Sequence, residues 1–288
     1  MATITSPLIK PQELLQLFPN QNFILIDARS GAKAKEAYAT EHLTYAQHID
    51  LDTQMANIKP NPAEGGRHPL PTPTQFVQIL STIGIMPNSH VIIYDDKNGA
   101  NAAARLWWML KAIGHQQVQV IDGGMQAAIK VGYPLSSDIE KIEKIEVQKN
   151  FYLTQWTLPQ VTIEDVSKAS NDDQYLIIDV RESGRYRGEF EPLDLVAGHI
   201  PNSVNVPFIE NLDTEGYFLA PTELKEKYKK ILDGRKSEQV IVHCGSGVTA
   251  CHTLLAMDYA GLEIPQLYIG SWSEWSRNNL PMVTSTEK

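Results

Sequence analysis

The second half of this chain repeats the first half, and no other feature limits the possible folds as strongly. Four stretches recur in the same order with an offset of roughly 150 residues, as loop insertions and deletions in a duplicated domain would allow. The matched pairs are 23–31 with 175–184, 41–51 with 198–208, 90–110 with 239–257, and 117–128 with 266–275. Because four matches in one order are hard to obtain by chance, the sequence predicts two homologous domains.

Short apolar runs alternate with longer segments of helical period in both halves. The runs FILI, HVIIY and VQVI in the first half, and YLIID, VIVH and LYI in the second, are typical of buried strands. One helical segment, ARLWWMLKAIG, ends at Gly114, a residue type that commonly follows the last turn of a helix. The alternation indicates an α/β fold with two tandem domains, each a mostly parallel sheet covered by helices on both faces.

A polar and charged segment separates the two halves. Residues 136–158 include SSDIEKIEKIEVQ and have no counterpart in the repeat, so we interpret them as a linker. The chain then divides into an N-terminal domain of residues 1–135 and a C-terminal domain of residues 159–288. Each half is long enough to form a core of its own.

Composition disfavours several classes of function. A net charge of −9 argues against binding to nucleic acids, whose phosphate backbone usually needs a basic face. No apolar run approaches the roughly 18 residues of a membrane-spanning helix, and the N-terminus lacks a secretory signal, so we expect a cytoplasmic protein. Two cysteines are too few for a disulfide framework or a four-thiolate zinc site, which predicts free thiols and no metal.

Cys244 stands where the predicted strand VIVH ends and the loop GSGVT begins. Ligands of open parallel sheets bind beyond the carboxyl ends of the strands. A glycine-containing loop that leads into a helix gathers backbone N–H groups around one point, and such an anion nest lowers the pKa of a thiol. We therefore predict that Cys244 is a nucleophile. The alternative is a buried cysteine that acts as a small hydrophobic residue, which is how we interpret Cys251, with a redox role as its alternative.

Three motifs and the duplicated halves carry a resemblance to a known family. The motifs are CGSGVTA (244–250), GHIPNSVNVPF (198–208) and GSWSEW (270–275). Together they resemble the two-domain rhodanese superfamily, in particular its 3-mercaptopyruvate sulfurtransferases, whose cysteine loop is neutral where thiosulfate enzymes usually carry a basic CRKG. Thiosulfate is a compact dianion that benefits from nearby cations, whereas mercaptopyruvate carries one carboxylate, so a neutral loop favours mercaptopyruvate.

The resemblance implies a role for each residue of the loop. Cys244 would carry a persulfide, Ser246 would take part in catalysis, and the other loop residues would bind the substrate: Gly245, Gly247, Val248 and Thr249. In the first half, Asp95 stands at the position of Cys244. Because a carboxylate cannot hold a transferable sulfur, the N-terminal domain is predicted to be non-catalytic.

The resemblance also implies a Ser–His–Asp relay that begins at Ser246. The motif GGRHPLP (65–71) fits the family's histidine and assigns it to His68, with Asp52 as the carboxylate that orients the imidazole. A histidine with a pKa of about 6.5 can relay the proton of the substrate thiol. The alternative for His68 is a loop histidine that makes an ordinary hydrogen bond.

A substrate carboxylate needs a cation, ideally a planar guanidinium. By resemblance, Arg185 is the family's substrate-binding arginine, although a surface salt bridge is the alternative. A second arginine that the family commonly supplies downstream is missing, because Leu193 and Asp194 stand there instead. Either Arg187 takes its place, or the enzyme holds its substrate with one arginine.

Residues that recur in both halves are expected to be structural, because the first half lacks the nucleophile. This applies to Arg181, which recurs as Arg29, and to His199, which recurs as His42.

These features predict a sulfurtransferase that moves sulfur from 3-mercaptopyruvate through a Cys244 persulfide to a thiol such as thioredoxin, or to cyanide, without a cofactor. Thiosulfate:cyanide sulfurtransfer on the same scaffold is the first alternative, and a non-enzymatic sulfur-relay or binding module is another. A cysteine phosphatase of this fold would need an arginine six positions after the cysteine, where this chain has Ala250.

Overall fold

The computed structural model describes residues 6–20, 22–139 and 154–284. The chain forms two compact units. The first comprises Met1–Asn57, Pro71–Thr157 and Thr214–Phe218, and the second comprises Ile58–Leu70, Leu158–Asp213 and Leu219–Lys288. Each unit therefore includes a short segment from the other half of the chain, an exchange that the sequence did not predict.

A five-stranded parallel sheet forms the centre of the first unit. Its strands are β1 (Leu8–Ile9), β2 (Ile24–Asp27), β4 (Ala46–His48), β5 (Val91–Tyr94) and β6 (Val118–Ile121). They lie in the order β1-β6-β5-β2-β4. A separate antiparallel pair joins β3 (His42–Leu43) to β7 (Leu135–Ser136). Every residue of β5 and β6 is buried, the pattern expected of strands covered on both faces.

The described residues of this unit form the helices α1 (Pro11–Leu17), α2 (Ala34–Thr40), α3 (Leu51–Gln54), α4 (Pro73–Thr82), α5 (Ala103–Ala112) and α6 (Gly124–Lys130). The start of α4 follows from its sequence, because Thr72 and Gln75 form a reciprocal capping box and Pro73 occupies the first helical position. Helix α5 ends just before Gly114, whose φ of +90° confirms the predicted glycine at the end of this helix.

The second unit repeats the first sheet. Its strands are β8 (Gln160–Val161), β9 (Leu176–Asp179), β10 (Ser203–Asn205), β11 (Val240–His243) and β12 (Gln266–Tyr268). They are all parallel and lie in the order β10-β9-β11-β12-β8. Its helices are α7 (Ile163–Ala169), α8 (Ser183–Arg187), α9 (Pro221–Leu232), α10 (Ala250–Tyr259) and α11 (Ser271–Trp275). The equivalent strand order confirms the α/β fold with two tandem domains.

Both sheets hold a buried ion pair at the carboxyl end of a central strand. Arg29 Nη2 lies 2.6 Å from Asp27, and Arg181 Nη2 lies 2.5 Å from Asp179. Arg29 also donates a hydrogen bond to the backbone carbonyl of Glu41, and Arg181 donates one to the backbone carbonyl of Gly198. These contacts confirm the structural role predicted for the repeated arginines.

The repeated histidines have matching environments as well. His42 stacks on Tyr38 with 4.1 Å between ring centroids, and His199 stacks on Tyr186 at 3.8 Å. In each case the histidine Nδ1 forms a hydrogen bond with the carbonyl of that tyrosine, at 2.7 and 2.8 Å. The two histidines therefore hold a turn in place, as predicted.

The predicted strands agree with the observed strands to within one residue at each end, and the helix predicted before Gly114 is α5. The boundaries proposed at residues 135 and 159 stay a prediction, and most of the interpreted linker lies outside the described residues. Among the residues that are described, no helix has the length and apolar character needed to cross a membrane.

Candidate active site

Cys244 lies at the carboxyl end of β11, the middle strand of the second sheet. Its backbone N–H donates to Ser271 Oγ (3.2 Å), and its carbonyl accepts from the N–H of Trp272 (3.0 Å). The carbonyl of Gly245 accepts from the N–H of Ser273 (2.9 Å). These bonds fix the start of the loop to the first turn of α11. Cys244 is 3% exposed, and it is a free cysteine as predicted.

The loop turns at Gly247, the position where only glycine fits. Its φ is +71°, and a Cβ added there would lie 2.4 Å from the carbonyl oxygen of Ile269. Val248 and Thr249 complete the turn, and α10 begins at Ala250. Cys251 is fully buried in this helix, with its Sγ donating to the Gly247 carbonyl at 3.4 Å, so it packs as a core residue.

The equivalent loop of the first unit shows what such a turn can hold. Asp95 follows β5 as Cys244 follows β11, and its side chain is fully buried. Four backbone N–H groups donate to its carboxylate at 2.8–3.1 Å, those of Lys97, Gly99, Asn101 and Ala103. The turn therefore gathers amide dipoles around one negative charge, and in the first unit that charge belongs to the chain itself.

Three amides of the second loop lack such an acceptor among the residues that the structure describes. Within the part of the chain that the structure describes, no acceptor meets the backbone N–H of Ser246, Val248 or Thr249. The second loop is shorter, because six residues separate β11 from α10, whereas eight separate β5 from α5. The side chain of Cys244 also has no oxygen atom that could accept hydrogen bonds within the turn, as the carboxylate of Asp95 does. An anion on Cys244, or one bound beside it, can accept hydrogen bonds from these N–H groups.

Ser246 and His68 lie together. Ser246 Oγ is 2.8 Å from His68 Nδ1, and both residues belong to the second unit because His68 is on the segment Ile58–Leu70. This segment is held by hydrogen bonds from the Gly65 N–H to Glu274 (2.7 Å) and from the Arg67 N–H to Ser273 Oγ (3.0 Å). A proton can pass between the serine hydroxyl and the imidazole at this distance.

A group of charged side chains, which we name the arginine cluster, lies beside Gly245. It consists of Arg67, Arg185 and Arg277 around the carboxylate of Asp194, at distances of 3.0, 3.5 and 3.2 Å. A Cβ added to Gly245 would lie 3.1 Å from Arg67 Nη2 and 3.3 Å from Arg185 Nη2. Two guanidinium groups therefore stand next to the residue that follows the predicted nucleophile.

The contacts of Arg185 and Arg187 differ. Arg185 forms two hydrogen bonds with Glu191, at 3.0 and 2.7 Å, and its side chain is 12% exposed. The guanidinium of Arg187 instead pairs with Glu189 and is 47% exposed. The second guanidinium beside Gly245 is that of Arg67, which sequence reasoning missed although it directly precedes His68 in GGRHPLP. The substrate-binding role considered for Arg187 stays a prediction.

Asp52 lies on α3 of the first unit, and its role beside His68 stays a prediction. The roles of the other predicted site residues also stay predictions, although the structure places Cys244, Ser246 and His68 at one loop. Trp272 and Trp275 are fully buried in the core of the second unit. Among the described residues, no group of three or more His, Cys, Asp or Glu side chains could hold a metal ion.

Burial lowers the pKa of His243, the residue directly before Cys244. Its imidazole is fully buried, with Nδ1 3.1 Å from the Cys244 carbonyl and Nε2 3.7 Å from Asp179. Desolvation outweighs the attraction of Asp179, so the pKa shift favours a neutral His243 in the folded protein.

We expect the free energy of unfolding to fall as the pH drops below about 6.5, the pKa of an unperturbed histidine. The unfolded chain binds a proton at His243 more readily than the folded protein does, so acidification favours unfolding, by up to ~1.4 kcal/mol per pH unit for one proton. Denaturant titrations at several pH values would measure this slope in the wild type and in His243→Gln. We expect a shallower slope in the variant, and equal slopes would contradict the assignment.

The sequence of this chain is similar to a known domain family and to known sulfurtransferases. The rhodanese-like domain family matches residues 10–130 and 162–278. A probable 3-mercaptopyruvate sulfurtransferase of Pseudomonas aeruginosa is 33% identical over 280 residues, which cover 94% of this chain and 95% of the relative. A thiosulfate sulfurtransferase of Mus musculus is 32% identical over 254 residues, which cover 86% and 82%.

Among solved structures, a 3-mercaptopyruvate sulfurtransferase from Leishmania major superposes with a TM-score of 0.82 at 28% sequence identity. The match covers 94% of this chain and 74% of that one. The similarity in sequence and in structure thus extends over both repeated halves.

Proposed function

The chain belongs to the rhodanese-like domain family, and from this premise we propose that it is a sulfurtransferase that takes its sulfur from 3-mercaptopyruvate. The Cys244 loop carries the proposal. It combines a free cysteine at the end of a middle strand with backbone N–H groups that lack an acceptor among the described residues. The Ser246–His68 hydrogen bond adds a route for a proton at the same loop.

In the first half-reaction, the Cys244 thiolate attacks the sulfur of 3-mercaptopyruvate. A bond forms between the two sulfur atoms as the carbon–sulfur bond of the donor breaks, and the electron pair of that bond leaves with the carbon as the enolate of pyruvate. The thiol proton of the donor passes by way of Ser246 and His68 to the enolate carbon. Sulfur is oxidised as carbon is reduced, so the step needs no external oxidant and yields pyruvate and a persulfide anion.

The surrounding groups stabilise the charges of this step. The N–H groups of Ser246, Val248 and Thr249, which meet no acceptor among the described residues, donate to the persulfide anion. The amides of the equivalent turn donate to Asp95 in the same way in the first unit. Gly245, Gly247, Val248 and Thr249 form the wall of the donor site, and Arg185 holds the donor carboxylate through its guanidinium. Asp52 orients the imidazole of His68 in this proposal.

In the second half-reaction, an acceptor thiolate or cyanide attacks the outer sulfur of the persulfide. The sulfur–sulfur bond breaks, and its electron pair returns to Cys244 as the thiolate. Reduced thioredoxin is the kind of protein thiol that we propose as acceptor. We place the protein in the cytoplasm, since both of its cysteines are free and the reaction consumes reduced thiols.

Thiosulfate is the second candidate donor, because a thiosulfate sulfurtransferase is among the relatives of the chain. The neutral residues Gly245 and Ser246 next to the nucleophile favour mercaptopyruvate over this dianion.

Intact mass spectrometry of the reduced protein tests the proposal. After mixing with 3-mercaptopyruvate, we expect one added sulfur, located on the peptide that contains Cys244, and an equal amount of pyruvate. Protein alkylated beforehand with iodoacetamide serves as the control and should gain no sulfur. We also expect kcat/KM for 3-mercaptopyruvate to exceed that for thiosulfate by about tenfold or more.

Absence of sulfur on Cys244 with both donors would leave a non-enzymatic module as the better description. A larger kcat/KM for thiosulfate would overturn the assignment of the donor but not of the enzyme class.

A further inference from the structure

We propose that Asp194 selects monoanionic over dianionic sulfur donors, because it reduces the positive charge of the arginine cluster beside Cys244. The inference rests on the proposed function, since it concerns which donor that loop accepts.

The charges beside the loop are almost balanced. Within the described residues, ion pairs link four arginines and three carboxylates into one group, namely Arg67, Arg181, Arg185 and Arg277 with Asp179, Glu191 and Asp194. The group therefore carries one net positive charge, which matches the single carboxylate of mercaptopyruvate. Without the charge of Asp194 it would carry two, which matches thiosulfate.

Asp194 has the central position in this group. Its side chain is fully buried, and it contacts three of the four arginines. A Cβ added to Gly245 would lie 3.5 Å from Asp194 Oδ2, so this carboxylate is only slightly farther from the loop than the two guanidinium groups at 3.1 and 3.3 Å. Because buried charges are screened only weakly by solvent and salt, its effect reaches a donor bound at Cys244.

Two guanidinium nitrogens remain able to donate to such a donor. Among the described residues, no acceptor lies within hydrogen-bond distance of Nη1 of Arg67 or Nη1 of Arg185. The side chains of Arg67 and Arg185 keep 25% and 12% of their surface exposed. The cluster thus presents N–H donors to an anion, while Asp194 limits how much negative charge it attracts.

The consequence is a difference between donors. Adding one positive charge to a site strengthens its attraction for a dianion about twice as much as for a monoanion at the same distance. Asp194→Asn, which keeps the shape of the side chain and removes its charge, should therefore favour thiosulfate. We expect the ratio of kcat/KM for thiosulfate to that for 3-mercaptopyruvate to rise about tenfold or more.

The chain offers a matched control on the same loop. Glu189 also pairs with an arginine, but that pair is about half exposed to solvent. Glu189→Gln removes one negative charge without altering the cluster, so the donor ratio should stay within about twofold of the wild type. A shift as large as that of Asp194→Asn would show that net charge of the whole protein, and not Asp194, sets the ratio.

Arg67→Gln keeps the inference testable should Asp194→Asn fold poorly, and a double variant adds a further test where Asp194→Asn folds. Arg67→Gln removes a positive charge from the cluster, so it should lower the ratio. Arg67→Gln combined with Asp194→Asn restores one net positive charge and should return the ratio to within about threefold of the wild type. A ratio that stays about tenfold raised in the double variant would mean that the shape at position 194 matters and that its charge does not.

Anion binding to the inactive Cys244→Ser protein tests this inference independently of the proposed function. Calorimetry with sulfate as the dianion and pyruvate as the monoanion needs no turnover. If Asp194→Asn raises the affinity for sulfate relative to pyruvate while the wild type forms no persulfide, Asp194 sets the charge preference of the site for anions and the proposed function fails. If the persulfide forms and both ratios stay within about twofold, the inference is overturned and the proposed function stands.

Discussion

Cys244→Ser is expected to lower kcat for sulfur transfer by at least about a thousandfold. A serine hydroxyl stays protonated at neutral pH, and its oxygen cannot replace sulfur as the carrier of a second sulfur atom. The fold should persist, because the two side chains have similar volumes and the hydrogen bonds of Cys244 use its backbone N–H and carbonyl. Initial rates with 3-mercaptopyruvate and cyanide, together with the unfolding midpoint of each protein, would measure both expectations.

The other cysteine of the chain provides the matched control. Cys251 is seven residues away on α10, where it is fully buried and contacts the Gly247 carbonyl. Cys251→Ser changes the same atom type in a neighbouring environment, so we expect a loss of stability of about 1 kcal/mol and activity within a few fold of the wild type. If Cys244→Ser kept about a tenth of the wild-type rate, the sulfur would have to travel by another residue.

Asp95→Ala is expected to destabilise the first unit by about 3 kcal/mol or more. Its fully buried carboxylate accepts the four hydrogen bonds that close the turn between β5 and α5. Alanine leaves those N–H groups without their acceptor, and each buried donor that loses its partner is costly. Chemical denaturation would measure the decrease in the free energy of unfolding. Hydrogen exchange at the amides of Lys97 and Gly99 should also become faster.

The neighbouring carboxylate is the control for this change. Within the described chain the side chain of Asp96 accepts no hydrogen bond, so Asp96→Ala should change the free energy of unfolding by less than about 0.5 kcal/mol. Asp95→Asn, which retains one carbonyl oxygen as acceptor, should fall between the two. Equal stabilities of Asp95→Ala and Asp96→Ala would mean that the turn does not depend on the Asp95 carboxylate, and Asp95 would then give no support for an anion in the Cys244 loop.

The positions of Asp95 and Cys244 could be predicted from the sequence, but the hydrogen bonds of Asp95 could not. The repeat already aligned the two residues, and both follow buried strands as predicted. The alignment did not reveal that the carboxylate of Asp95 occupies its own turn. A hydrogen bond to a backbone N–H depends on how the turn folds, and residue type alone does not specify it.

Of the arginines that contact Asp194, only one was identified from the sequence. Arg185 was identified through the family resemblance, whereas Arg67 and Arg277 were not, because the resemblance assigned no role to their positions. Asp194 was noticed only as a departure from the expected arginine. Its importance appears once three arginines from separate segments of the second unit are seen to contact it.

The amino-acid sequence by itself determined the duplicated α/β fold, the strands and the position of the cysteine loop, since these depend on local apolar periodicity and on the order of residues along the chain. Only the tertiary structure decided that Ile58–Leu70 joins the second unit and brings Arg67 to Asp194. It also places His68 at Ser246, a pairing that only the family resemblance had implied. The physical reason is that these contacts join residues more than a hundred positions apart. Such contacts form through the packing of the whole unit, and local sequence preferences do not encode them.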